Sequence, residues 1–259
     1  LRGQTFLVLI IIFLILGIVA SFYFVIYDYH WGGEKTNLEA ELVLVSNNPI
    51  YDGFRNQLRP NALRITSNQI IKNNKNNFDF ISYLTNPNDL WYAEFDYHFE
   101  SGTYKSEIMK GFILPKQNRP FWNLDAKSSS TLNTGKIIIE EIKWKRATNY
   151  DLLRQDYLNF SFDEINLKKA SELNEEDGIS RLSFIANNNS IYNVWRLGLA
   201  IIFKRYDDTV AFYYYELEDF LGEEERLVDL TLFEDLKSIT NVEIVPIINI
   251  YDEETRFSD

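Results

Sequence analysis

Catalysis in this chain would have to be built from carboxylates, hydroxyls and two histidines, His30 and His98, because cysteine is absent. That absence removes thiolate nucleophiles, disulfides and thiolate metal sites together. A Ser-His-acid triad needs an imidazole oriented by a carboxylate. His30 sits among Tyr27, Tyr29 and Trp31, rings that suit a membrane interface rather than a reaction centre. His98 alternates out of an apolar strand face and is expected in a solvated or edge position. An all-oxygen calcium site could draw on Asp207-Asp208, on Glu223-Glu224-Glu225 with Asp219, or on Asp252-Glu253-Glu254. None has the alternating spacing of an EF-hand loop, and acid-rich tips ordinarily serve as solvated turns that protect strand edges. Paired carboxylates for glycoside hydrolysis would need a cleft to hold the sugar between them. No catalytic residue, cofactor or metal ligand is assigned, and the expectation is a protein that is not an enzyme.

Charge narrows the partners. The net charge is -12, and a nucleic-acid surface would demand clustered Lys and Arg instead. The run Phe212-Tyr213-Tyr214-Tyr215 is the candidate contact surface, since exposed tyrosines favour recognition. Alternation sends Tyr213 and Tyr215 to one face and Phe212 and Tyr214 to the other, so half of the run belongs to a core. Asn159-Phe160-Ser161 and Asn188-Asn189-Ser190 match the N-glycosylation acceptor, a pattern too short to assign a modification.

The elements that would position such residues are strands. Aromatic content is 15%, with 16 Tyr and 19 Phe, a composition that favours sheets. A shift of roughly 100 residues exposes an internal repeat. In one copy Phe80 to Asn88 leads into Trp91, Ala93, Phe95, Tyr97 and Phe99; in the other Leu182 to Ser190 leads into Trp195, Leu197, Leu199, Ile201 and Phe203. Each row alternates strictly and places a Trp at the head of one sheet face. An Asn-rich turn precedes both. Gly111 to Pro115 then corresponds to Leu217 to Gly222, and each copy closes on an apolar strand, Ile137 to Trp144 or Val242 to Ile250. The fold expected is all-β, two tandem immunoglobulin-like β-sandwiches over residues 61–146 and 157–252, joined between about Arg146 and Asp156.

Ahead of them, Gly3 to Tyr27 carries no charge, and residues 6–26 exceed the roughly 20 needed to cross a bilayer. Residues 1–31 read as one transmembrane helix with an interfacial collar of Phe22, Tyr23, Tyr27, Tyr29 and Trp31, and residues 32–60 as a tether. Arg2 before the helix and the acidic mass after it give a cytoplasmic N-terminus and domains outside. A cleaved signal peptide, with Gly17, Ala20 and Ser21 at a cleavage site, is one alternative. A prepilin-type start, processed at Gly3, is another, although Val8 then stands where pilin-like proteins carry an acid. Because the sequence starts with Leu rather than Met, further positive charge could precede it.

The Asn86-Pro87-Asn88 turn, the Phe203-Lys204-Arg205-Tyr206-Asp207 hairpin and the order of anchor, tether and two repeats resemble bacterial single-pass envelope proteins with two tandem FxLYD-type sandwiches. The resemblance covers about residues 60–252. Arg205 stands where that pattern has Leu, the next turn lacks its Gly, and the first copy keeps Phe99 without the Tyr-Asp. It implies a fold and a place on the envelope, with no catalytic residues. The functional expectation is a non-enzymatic, membrane-anchored protein whose sandwiches contact another envelope protein or a second copy. A pilin-like or secretion-machinery component, and a calcium- or carbohydrate-binding adhesin module, are the alternatives.

Overall fold

The structure is a computed structural model that describes residues 2–27, 59–73, 75–128, 131–169, 179–233, 236 and 238–252, with side chains of the first helix described from Leu14 onward. The chain divides into two compact units, Leu1–Arg59 and Pro60–Asp259. In the first unit α1 spans Arg2–Tyr27. Its large side chains from Leu14 to Tyr27 are exposed, Phe24 at 74% and Leu16 at 61% among them. Tyr23 and Tyr27, one turn apart, stack with ring centroids 6.5 Å apart. Among the described residues no helix is long and apolar enough to cross a membrane. Tyr29, His30, Trp31 and all but the last two positions of the expected tether lie outside the described residues.

The second unit is predominantly β. Its first half contains β1 (Arg64–Lys72), β2 (Phe78–Thr85), β3 (Trp91–Ser101), β4 (Tyr104–Lys105), β5 (Met109–Ile113), β6 (Asn118–Ala126) and β7 (Lys136–Arg146). One sheet runs β1-β2-β6; the other has β3 between β5 and β7, with β4 as a short hairpin. After helix α2 (Tyr150–Tyr157) come β8 (Phe160–Lys168), β9 (Ser180–Asn188), β10 (Val194–Arg205), β11 (Asp208–Phe220), β12 (Glu225–Leu232) and β13 (Asn241–Ile247). These form the sheets β8-β9-β12 and β11-β10-β13. Strand for strand the second pair of sheets repeats the first, β1, β2, β3, β5, β6 and β7 matching β8 to β13.

Alternation places Ala93, Phe95, Tyr97 and Phe99 of β3 in the first core, with Phe80 and Phe121 from the facing sheet. Leu197, Leu199, Ile201 and Phe203 of β10 do the same in the second, opposite Leu182, Phe184 and Val228. Trp195 departs from the expected pattern. It is 47% exposed, so the core row begins at Leu197. The join holds α2, whose Tyr150, Leu153 and Tyr157 pack on the second core.

The Asn-rich turns are the most closely repeated detail. Asn86 is buried; its Nδ2 donates to the carbonyls of Trp91 (2.7 Å) and Leu114 (3.0 Å), while its Oδ1 accepts from the backbone and side chain of Asn88. Asn188 is buried likewise, donating to Tyr192 and Leu221 (2.9 Å each) and accepting from the backbone and hydroxyl of Ser190. Each amide therefore ties the end of one sheet to a hairpin of the other, satisfying carbonyls that burial would otherwise leave unpaired. Its full engagement leaves Asn188 no free nitrogen for a glycan.

Candidate functional site

Phe212 and Tyr214 lie on the face of β11 that points away from their own core. Phe212 is only 3% exposed. It packs with Ala200, Ile202 and Ile247 against Ile81, Tyr83, Trp122 and Leu124 on the outer face of the β1-β2-β6 sheet. The Trp122 ring lies 5.0 Å from Phe212 and 5.1 Å from Tyr214. This explains why β10 is apolar on both sides: one face builds the second core and the other is covered by the first sandwich. Gly198 makes room, since a Cβ there would fall 2.6 Å from the Tyr214 hydroxyl. The candidate contact surface is thus occupied from within the chain, with Tyr214 still 40% exposed at its rim.

Arg119, which the sequence did not flag, closes the side of the first sandwich. Its guanidinium lies over the rings of Phe112 (4.2 Å) and Phe121 (4.6 Å), and its Nε and Nη1 make no hydrogen bond. Burial lowers its pKa to about 10. The two rings offset part of the desolvation through cation–π attraction.

A polar site takes shape on the outer face of the β5-β3-β7 sheet. The bulge between Glu94 and Asp96, opposite Glu141 at φ 42°, re-aims side chains there. A groove of about 470 Å³ is lined by Glu94, Asp96, Lys110, Glu141, Lys143 and Lys145 from this sheet, and by Asn249, Tyr251 and Asp252 from the segment after β13. Lys145 pairs with Glu94 at 2.7 Å, and that contact raises the lysine pKa. Tyr251 stacks on Tyr92 at 4.4 Å and donates to the Thr148 carbonyl; burial pushes its hydroxyl up to about 12.

His98, farther along the same face, corrects the expectation of a solvated or edge residue. It is 1% exposed. Nε2 meets Glu100 at 3.1 Å, and Nδ1 lies 3.1 Å from Glu140 without the alignment of a hydrogen bond. Lys136 holds Glu100 from its other side at 3.1 Å. Hydrogen bonds from His98 and then Lys136 hold the Glu100 carboxyl below its usual range. The arrangement is a row in which the His98 imidazole and the Lys136 ammonium alternate with the carboxylates of Glu140 and Glu100 across β3 and β7, with no hydroxyl nucleophile beside the imidazole among these contacts.

No family model and no curated protein matches this chain. The likeness to FxLYD-type sandwiches therefore rests on its residues alone.

The acidic tip at Glu224 has a local use, while Glu253 and Glu254 lie outside the described residues. Glu224 is bound by Arg226 through both carboxylate oxygens and accepts from the Leu221 backbone N–H; the arginine lowers its pKa first among the causes. Arg226 also donates to the carbonyls of Glu218 and Asp219. Among the described residues no group of three or more His, Asp or Glu is placed to hold a metal ion.

Proposed function

We propose that this chain is a non-enzymatic, membrane-anchored envelope protein whose two immunoglobulin-like sandwiches, of FxLYD type, present a contact surface to another protein. The observation that carries the contact reading is the groove on the β5-β3-β7 face, where Lys110, Lys143 and Lys145 lie among carboxylates of the sheet and Asp252 of the segment after β13, and Lys145 pairs with Glu94. Matched exposed charges contribute little to stability but much to orientation and partner choice. The anchor reading is supported by the apolar side chains that α1 exposes and by Phe22, Tyr23 and Tyr27 near its end, rings suited to the headgroup layer.

A photo-crosslinking residue in place of Lys110, in the full chain in its native membrane, tests the contact reading. An adduct with one envelope protein is expected, and Lys143→Ala with Lys145→Ala should abolish it with little change in melting temperature, since exposed ion pairs contribute about 0–1 kcal/mol. Absence of any adduct, or turnover of a glycan or peptide abolished by one acid substitution, would overturn the proposal.

A further inference from the structure

Sheet edges expose backbone donors and acceptors that can template another strand, and proteins usually blunt them. Nearly every edge strand among the described residues is blunted. β1 carries a bulge between Ile65 and Ser67. β6 contains Pro120 and a register shift opposite Phe78 and Phe80. β7 and β8 are bulged, with Glu141 at φ 42° and Glu164 at φ 53°. β11 is shifted opposite Phe203 and Lys204, β13 contains Pro246, and β4 and β5 are short.

β12 is the exception among the described edge strands. Glu225 to Leu232 pair one to one with Asn187 to Ser180 without a shift, and no proline or positive φ interrupts them. The Asn188 N–H donates to the Glu224 carbonyl at 3.0 Å, which marks that opposed pair as hydrogen-bonded. Strict alternation then turns the backbone groups of Glu225, Leu227, Asp229 and Thr231 away from β9. Those four side chains are exposed, Leu227 at 71%. Arg226 fixes the start of the strand through Glu224 and the end of β11 and lies 5.2 Å from the Phe220 ring, so the edge is held ready rather than frayed.

We propose that β12 is a strand-addition site for an extended segment of a partner protein in which basic residues alternate with an apolar one. Glu225 and Asp229 bracket Leu227 on the exposed row, and side chains directly opposite on neighbouring strands must match. Asp229 pairs with Arg181 at 3.6 Å, an exposed pair that a partner's cation can share. A second copy of β12 is disfavoured: antiparallel pairing about Leu227 opposes Glu225 to Asp229, pairing about Val228 sets the apolar Leu227 on Asp229, and pairing about Asp229 opposes two aspartates. This surface lies apart from the groove, so either can fail alone.

The test uses the full chain in detergent micelles and a synthetic peptide with Lys, Val and Lys at alternate positions separated by Thr. Amide exchange at Leu227, Asp229 and Thr231 should slow at least about tenfold on adding the peptide. A peptide with Glu in place of Lys should leave exchange unchanged. Leu227→Pro, which removes an N–H that β9 does not use, should abolish the protection with little change in melting temperature. Asp229→Lys should weaken it. No protection, protection at another edge, or full protection in Leu227→Pro together with Asp229→Lys would overturn the proposal, and a groove adduct at Lys110 would still stand.

Discussion

Asn86 and Asn188 each hold two carbonyls and two donors in a buried corner. Replacing either with alanine takes the amide donor from the Leu114 or the Leu221 carbonyl and the amide acceptor from the turn. Asn188→Ala should cost about 2–4 kcal/mol in denaturant unfolding, since leaving buried polar groups unmet costs more than a hydrogen bond gains. Asp79 carries a pH signature. Burial raises its pKa, although the Asp125 N–H and Asn73 side chain donate to it. A carboxyl raised in the fold contributes stability below its unfolded value of 3.8 and loses it as pH rises through the folded value. Asp79→Asn should therefore raise the melting temperature at pH 7 and leave it nearly unchanged at pH 3. The sequence displayed both asparagines as polar turn residues. It could not display their burial, because their acceptors, Leu114 and Leu221, lie far along the chain. His98 was misplaced for the same reason, since its cover comes from Glu140 on β7.

At the scale of elements, alternation was legible wherever one face alone is buried, as on β3. β10 also gave its core row, but the burial of Ala200 and Ile202 on its second face depends on the first sandwich, which no local pattern encodes. Helix α2 was missed because eight residues are too few for a periodic signal, and such a helix is held by tertiary packing of its rings. Trp122 is the centre of the contact between the sandwiches. Trp122→Ala should destabilise by roughly 2–4 kcal/mol, below the range for a fully buried Trp because the ring is partly exposed. Calorimetry should then resolve two unfolding transitions where the parent chain gives one. A single unshifted transition would mean that the apolar contact does not couple the halves.

For the whole molecule, the central claim is that α1 anchors the chain and the unit from Pro60 onward is displayed outside the cytoplasm. The absence of cysteine from the sequence makes the claim directly measurable, because label recovered on the purified chain then reports on a single introduced thiol. Tyr206, 81% exposed in the turn between β10 and β11, is the position to use. In intact cells a membrane-impermeant maleimide should label Tyr206→Cys, and the labelled chain should stay with the membrane through an alkaline carbonate wash. Labelling only after lysis, or release of the chain by the wash, would contradict the account.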